Sequence, residues 1–241
     1  FPPAQEARAD EAVTLRVMTF NVWYGGEQVS IEKVGEAIRA ADPDIVGLQE
    51  ADRNLERIAG VAGMPYVDPR RRLLSRWPIF DSGTGLRTEK GPAPYSTTAL
   101  DRDALHAWVM VRPGRVVAVS NVNLSSGASL DALRRAETAP LTALGQVAAD
   151  GTPVFLTGDF NSTSHLDVGA DGPSVSRMLG DAGLRDSYGE AHPDPVPSPG
   201  YTWTPGAPHP LAGHEKRRSR IDYVYAAGHG ETVASQVRGR G

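Results

Sequence analysis

The sequence predicts an α/β fold, because β-rich segments alternate with helical segments from its first elements onwards. Residues 13–20 alternate in polarity and predict a strand, and Ser30 can cap a helix over residues 31–41, whose apolar side chains recur with the helical period. Residues 44–50 predict a second strand, so these three elements could form a crossover unit. The chain has 241 residues, 40% of them hydrophobic, and shows neither a linker nor a repeat, which predicts a single domain.

The same signals predict the later elements of the chain. Helices are predicted over 52–62, over 130–149 with a break at Pro140, and over 174–182, where Gly183 closes the helix. Strands are predicted over 73–76, 79–81, 105–111, 115–119, 153–157, 220–225 and 232–237. Residues 83–98 and 189–214 predict loops, and residues 1–12 predict a disordered lead-in, so the domain is expected to span residues 13–241.

Composition excludes several classes of protein. The chain has no cysteine, which rules out a disulfide framework and thiol chemistry. No run approaches the roughly 20 apolar residues of a membrane-spanning helix. The net charge of -4 and a pI of about 5.9 argue against tight, non-specific binding to duplex nucleic acid. Residues 7–9 (Ala-Arg-Ala) fit the small-x-small pattern of a signal-peptidase site, and we expect a secreted or cell-envelope protein.

Basic residues nevertheless form two clusters. Residues 70–72 are all arginine, and the prediction for them is a solvated face. Residues 216–220 hold four more basic side chains just before Asp222, and two interpretations stay open for them. They are either a solvated turn or a patch that binds a phosphate-rich head group.

Polar side chains follow or interrupt four predicted strands. The side chains concerned are Asn21, Gln49, Glu50, Asp159, Asn161 and Asp222. Asp159 and Asn161 follow a short apolar strand and lie two residues apart, so in extended geometry they would point to the same side. An acid and an amide together suit a hard cation and a phosphate oxygen, although Asp, Asn and Ser also favour simple turns.

The order and spacing of five motifs resemble the endonuclease/exonuclease/phosphatase superfamily, which includes DNase I-like nucleases, sphingomyelinases and inositol-phosphate phosphatases. The motifs are TFNVW (19–23), DIVGLQE (44–50), LSRWPI (74–79), GDFNS (158–162) and SRIDYV (219–224). The resemblance implies a four-layer α/β sandwich, in which two mixed β-sheets lie face to face and are flanked by helices. It covers the chain from about residue 13 to residue 225.

The resemblance also implies roles for matching residues. Glu50 would bind the catalytic Mg²⁺, with Mn²⁺ or Ca²⁺ as alternative ions, and Asn21 would assist the metal shell. Asp159 would orient or deprotonate the attacking water, and Asn161 would contact the phosphate. Asp222 would hold a catalytic histidine. Carboxylates and amides meeting at one rim can neutralise charge on a phosphate and align water, as such a hydrolase requires.

The sequence departs from the family pattern in two places. Asn123 stands where many members have a phosphate-stabilising histidine, and its amide can donate a hydrogen bond but not a proton. The family's C-terminal S-D-H segment is apparently lacking, which would reflect either a missing tail or a degenerate enzyme. We favour the missing tail, because loss of a strand would expose a sheet edge. His165 follows the GDFNS motif, and a turn or capping role is favoured over a place at the rim.

The sequence therefore predicts a monomeric metal-dependent phosphoesterase in which water attacks phosphorus directly. The expected substrate is a phosphodiester or phosphomonoester of a small molecule or lipid head group. A nuclease acting on DNA or RNA is an alternative, less favoured because of the acidic net charge, in which Trp23, Tyr24, Tyr201 and Trp203 would stack on bases. A non-catalytic binding protein is a further alternative, favoured by Asn123 and by the lack of S-D-H.

Overall fold

A computed structural model describes residues 12–81, 105–127, 129–168, 174–204 and 218–239. Helices and strands in these ranges follow in chain order: β1 (Val17–Asn21), α1 (Ile31–Ala41), β2 (Ile45–Gln49), α2 (Leu55–Ala62), β3 (Tyr66–Asp68), β4 (Leu73–Ser75), β5 (Ile79–Asp81), β6 (Ala107–Arg112), β7 (Arg115–Asn123), α3 (Asp131–Thr138), α4 (Leu144–Val147), β8 (Val154–Asp159), α5 (His165–Val168), α6 (Val175–Asp181), β9 (Arg185–Asp186), α7 (Ser187–Ala191) and β10 (Asp222–Ala227). The expected lead-in up to residue 11 and the predicted loop over 83–98 lie outside the described residues.

The strands form two mixed sheets. One has four strands in the order β1-β2-β4-β3, and the other has six in the order β5-β6-β7-β8-β10-β9. In the first sheet β1 is parallel to β2, which confirms the crossover unit around α1. In the second, β8 is parallel to β7 and antiparallel to β10. The α/β class with two mixed sheets is thus confirmed.

Three apolar clusters account for the layering. One lies between the first sheet and the pair α1 and α2, and includes Ile38, Leu48 and Ile58. A second lies on the outer side of the other sheet and includes Leu156 and Leu179. The third joins residues of both sheets, such as Ile45, Leu73, Val109 and Val119, and fills the space between them. Helices therefore cover the outer faces, while the inner faces bury each other.

Local sequence signals fix the boundaries of α1. The Ser30 side chain accepts a hydrogen bond from the Lys33 amide at 3.1 Å, which satisfies one of the free donors of the first turn. Ile31, Val34 and Ile38 form the buried face. The helix ends at Asp42, whose φ of 53° is left-handed.

Pro140 divides the helical stretch 130–149, as predicted. Residues 139–143 form a 3₁₀ segment between α3 and α4, because proline has no amide hydrogen for the α-helical ladder.

The predicted strand over 232–237 is wrong. These residues form no strand, and Val233 is 78% exposed. Conversely, β3 and β9 were not predicted, because each has only two or three residues and is held by pairing with β4 or β10. Strand formation requires a partner edge, which the composition of a short segment does not reveal.

The arginine cluster at 70–72 is not a uniform solvated face. Arg71 is 4% exposed, and its guanidinium bonds to the Asp68 carboxylate at 2.6 Å. Burial of a charge with a paired carboxylate makes Arg71 a structural residue of the turn after β3. None of the described helices combines the length and apolar character needed to cross a membrane.

Candidate active site

Strands β7, β8 and β10 bring three predicted site residues into neighbouring positions. Asn123 pairs in register with Asp159, and Asp222 pairs with Asp159 from the other side. The first sheet adds Asn21 at the end of β1 and Glu50 directly after β2. One long cleft of about 2370 Å³ runs from the site along the strands to Pro43 and His229 at their other ends, and all the predicted site residues line it: Asn21, Glu50, Asn123, Asp159, Asn161 and Asp222.

The Asn21 amide joins the two sheets at this cleft. Its Nδ2 donates to Glu50 Oε1 at 3.0 Å and to Asp159 Oδ2 at 3.0 Å. Its Oδ1 accepts from the Trp23 amide at 2.9 Å, and Glu50 Oε2 accepts from the Tyr24 amide at 3.1 Å. Two carboxylates from opposite sheets are therefore held by one side-chain amide, although 138 residues separate Asn21 from Asp159.

Of the two acids that Asn21 joins, Asp159 is more deeply buried than Glu50. It is 7% exposed, and its Oδ1 accepts a hydrogen bond from the Asn161 amide at 2.9 Å. Burial raises the pKa of Asp159 and the Glu50 charge adds to this, while hydrogen bonds from Asn161 and Asn21 oppose the rise. A carboxylate in this setting is a stronger base than one in water.

Asp222 lies opposite Asp159 on β10 and is also perturbed. Burial, followed by the charge of Asp159, raises the pKa of Asp222 to about 7, against a hydrogen bond from Thr202. Thr202 Oγ1 also accepts from the Ile221 and Asp222 amides at 3.1 and 3.2 Å. Within the described part of the chain, no histidine is among the groups that act on Asp222.

The extended geometry expected for Asn161 is wrong. Strand β8 ends at Asp159, Phe160 is fully buried, and Asn161 has a left-handed φ of 47°. The Asn161 Nδ2 donates to the Leu124 carbonyl at 2.9 Å, so part of its amide is committed to the scaffold. The Asn123 side chain, by contrast, makes no hydrogen bond with any residue that the structure describes.

A polar network between the sheets was not predicted. Asn121 Oδ1 accepts from Gln49 Nε2 at 2.7 Å and from Thr157 Oγ1 at 2.9 Å. Asn121 Nδ2 donates to the carbonyls of Leu48 and Arg71. Because Gln49 directly precedes Glu50 in the chain, the network supports the backbone from which Glu50 projects. This adjacency is the sequence signal that could have indicated the network.

Arg220, the last residue of the basic stretch 216–220, is committed to the interior. Its guanidinium is 3% exposed and bonds to Asp167 and Asp186, and it lies over the rings of Tyr188 and Tyr223. Arg218 is partly exposed and lines the cleft. Residues 216 and 217 lie outside the described ranges.

His165 is the first residue of α5 and does not lie at the rim, although it is not a helix cap either. Its amide donates to Ser176 Oγ at 2.9 Å, and its Nδ1 lies 2.8 Å from the same oxygen. The side chain ties α5 to α6, and it is not among the residues that line the cleft.

The carboxylate oxygens of Glu50 and Asp159 are the groups that could hold a metal ion, whereas Asn21 turns its Nδ2 towards both of them and its Oδ1 towards the Trp23 amide. Among the described residues, no three His, Asp or Glu side chains come together as a metal-binding group. Mg²⁺ is commonly held by only one or two carboxylates and several waters, so this hard, oxygen-only donor set fits that ion.

Comparison with known proteins identifies the family. The sequence matches the profile of the Endonuclease/Exonuclease/phosphatase family over residues 18–241. The chain belongs to this family. Its enzymes act on phosphoester bonds and generally depend on divalent metal ions. An uncharacterized protein of Caenorhabditis elegans is 24% identical over 227 residues, covering 79% of this chain and 70% of that protein.

Several solved structures share the fold of this chain. A β-hairpin deletion mutant of Staphylococcus aureus beta toxin has a TM-score of 0.60 and 13% identity, covering 95% of this chain and 94% of the toxin. An AP endonuclease from Archaeoglobus fulgidus has a TM-score of 0.56 and 16% identity, covering 89% and 87%. Truncated TDP2 from Caenorhabditis elegans has a TM-score of 0.52 and 19% identity, covering 89% and 84%.

Proposed function

We propose that this protein is a Mg²⁺-dependent phosphoesterase that hydrolyses a phosphodiester or phosphomonoester by direct attack of water. One observation carries the proposal: the Asn21 amide holds the carboxylates of Glu50 and Asp159 together at a cleft that Asp222 also lines. Acids and amides converging in this way supply groups for binding a cation, for accepting a proton and for contacting phosphate oxygens.

Each site residue has a distinct part in the proposed reaction. Glu50 would hold Mg²⁺, which stabilises negative charge on the phosphate oxygens when it is bound, and Asn21 would assist the metal shell by holding the Glu50 carboxylate in place. Asp159 accepts the proton of the attacking water, a task that its raised pKa favours. The amides of Asn161 and Asn123 orient the phosphate by donating hydrogen bonds to its oxygens.

Asp222 supports Asp159 from the neighbouring strand. Two adjacent carboxylates do not both ionise readily, so Asp222, whose pKa is raised to about 7, is partly protonated at neutral pH while Asp159 acts as the base. A histidine from an S-D-H segment beyond the described residues would pair with Asp222 instead, as the family resemblance implies.

The proposed substrate is a phosphorylated small molecule or a lipid head group. The net charge of -4 does not favour a polyanionic duplex, and Arg220 is unavailable because it is buried with Asp167 and Asp186. We further propose a secreted, monomeric protein. A nuclease is the second candidate function, because four exposed aromatic side chains belong to two segments that are hydrogen-bonded to Asn21, Glu50 and Asp222.

Asp159→Asn tests the catalytic assignment. The variant should lose about 10²- to 10⁴-fold in the rate of bis(4-nitrophenyl) phosphate hydrolysis in Mg²⁺ or Mn²⁺, because it removes a general base. Asp181→Asn, which changes an exposed acid on α6, serves as the matched control and should keep the wild-type rate. A full rate for Asp159→Asn would contradict the proposal. Efficient nicking of supercoiled plasmid that Asp159→Asn abolishes would reverse the substrate ranking in favour of a nuclease.

A further inference from the structure

Exposed aromatic side chains are concentrated at the candidate site. Within the described ranges six Trp, Tyr or Phe side chains are exposed: Trp23, Tyr24, Tyr66, Phe80, Tyr201 and Trp203. Four of these belong to two short segments, 23–24 and 201–203, which adjoin residues of the site. Trp23, Tyr201 and Trp203 line the same cleft as Glu50 and Asp222.

The first segment is attached to the acidic side of the cleft. The backbone amides of Trp23 and Tyr24 donate to Asn21 Oδ1 and Glu50 Oε2, respectively. Both aromatic residues have left-handed φ values, 49° and 50°, which are unusual for bulky side chains. Strained backbone of this kind persists where surrounding contacts hold it, and it concentrates at functional sites.

The second segment is attached to Asp222. The Thr202 hydroxyl bonds to the Asp222 amide at 3.2 Å, and Trp203 exchanges backbone hydrogen bonds with Ser219 at 2.9 and 3.0 Å. The flanking Tyr201 and Trp203 side chains are 46% and 45% exposed. Each aromatic segment is therefore hydrogen-bonded to a residue of the proposed site, the first through its backbone amides and the second through the Thr202 hydroxyl.

We propose that the substrate carries a planar unsaturated ring, such as a nucleobase or an aryl group, close to its phosphoester, and that Trp23, Tyr201 and Trp203 bind this ring by stacking. The inference rests on the proposed function, because it places the phosphate at the carboxylates and the ring beside them. Aromatic faces accept any planar ring without reading its hydrogen bonds, so the expected preference is for ring-bearing phosphoesters as a class.

Exposed Trp and Tyr side chains also occur at membrane interfaces, where their rings sit among lipid head groups. Two observations favour a small ring here. Trp23, Tyr201 and Trp203 are less than half exposed and line a cleft. The segments that carry them are hydrogen-bonded to Asn21, Glu50 and Asp222. A rigid position beside the phosphate site serves stacking on one defined ligand group.

Matched ligand pairs test this inference in the intact protein with Mg²⁺ present. AMP and ribose 5-phosphate share a sugar phosphate and differ in the base. Stacking of about 1–3 kcal/mol per base corresponds to a preference of about 5- to 150-fold for AMP, measured by calorimetry. Phenyl phosphate should likewise bind more tightly than cyclohexyl phosphate, which has as many carbons but no planar ring. Equal binding within either pair would overturn the proposal.

Variants locate the ring site. Trp203→Leu and Trp23→Asn should each reduce the preference for AMP at least several-fold, towards equal binding of the two ligands. Asn is found at positive φ more often than most residues, so it suits the φ of 49° at position 23. Tyr66→Leu removes an exposed aromatic side chain that does not line the cleft, and it should keep the wild-type preference. Retention of the preference in both tryptophan variants would contradict the assignment.

Two further measurements distinguish the ring site from the proposed hydrolysis and from a membrane-contact surface. Hydrolysis of bis(4-nitrophenyl) phosphate is scored independently, so a ring preference without hydrolysis would support the ring site while defeating the proposed function. Hydrolysis without ring preference would overturn only the inference. Binding to phosphatidylcholine vesicles that Trp203→Leu abolishes, together with equal affinity for AMP and ribose 5-phosphate, would replace the ring site with a membrane-contact surface.

Discussion

Single side chains in this site do more than one task, and the Asn21 amide is the clearest case. It uses both its donor and its acceptor atoms, on Glu50, Asp159 and the Trp23 amide. Asp159 and Asp222 meanwhile lie opposite each other on adjacent strands, where their charges repel. Both carboxylates have a raised pKa, so they release their protons at a higher pH than an isolated aspartate does.

The raised pKa of Asp222 predicts how the metal-free protein responds to pH. The pKa rises from 3.8 in the unfolded chain to about 7 in the folded one, so the folded state binds more protons between these values. The free energy of unfolding should therefore fall as the pH rises from about 4 to about 7 and then level off. Asp222→Asn should remove much of this fall, measured by denaturant unfolding in EDTA.

The control for this experiment is Glu36→Gln, which changes an exposed acid on α1 and should leave the wild-type pH dependence intact. The comparison between the two variants removes the contribution of other titrating groups. If Asp222→Asn showed the same loss of stability towards neutral pH as the wild type, the assignment of this effect to Asp222 would be wrong.

At the scale of elements, strand β2 is packed against β7 and β8 through a polar contact as well as an apolar one. Gly47 lies at this contact, where a Cβ atom would come within 1.9 Å of Thr157 Oγ1 and 2.5 Å of Asn121 Oδ1. The absence of a side chain lets Asn121 reach Gln49 across the sheets. The two sheets can approach closely here only because residue 47 is glycine.

Gly47→Ala should therefore destabilise the fold. Overpacking a close contact costs about 1–3 kcal/mol, and the displaced Asn121 would also lose hydrogen bonds. Gly60→Ala is the matched control, because Gly60 lies within α2 with open space around it, and there the change should stabilise by about 0.5–1 kcal/mol. Both values are measured by urea denaturation. An unchanged or raised stability for Gly47→Ala would show that the sheets can separate without cost.

At the scale of the whole molecule, the proposed metal ligands and base come from both sheets. Glu50 and Asn21 belong to the first sheet, and Asp159 and Asp222 belong to the second. A cation bound among them would be present only when the sheets are packed together. Metal binding and folding should therefore be thermodynamically linked.

Mg²⁺ should raise the melting temperature of the protein, and EDTA should reverse the change. At a free Mg²⁺ concentration about 100 times Kd, binding to the folded state stabilises by about 2.7 kcal/mol. Glu50→Gln should lose this increase together with hydrolysis, whereas Glu56→Gln, at an exposed position on α2, should keep both. The measurement is a thermal unfolding curve with and without Mg²⁺. A full Mg²⁺ effect in Glu50→Gln would remove Glu50 from the metal site.

Features of this protein that depend on neighbours in the chain were predictable from the sequence. The Ser30 cap, the apolar stripe of α1 and the break at Pro140 all follow from contacts within a few residues. The acids and amides that end the strands were also recognisable, since composition changes abruptly where each apolar run stops. These signals were enough to indicate the α/β class and a list of candidate site residues.

Tertiary structure decided which polar residues meet and which are buried. Arg220 is buried with Asp167 and Asp186, and Thr202 bonds to Asp222, although these partners lie far apart in the chain. The physical reason is that the cost of burying a polar or charged group is offset by a partner that reaches it only after the sheets pack. The Asn21 bridge from Glu50 to Asp159 depends on that packing in the same way, because its three residues come from two separate sheets.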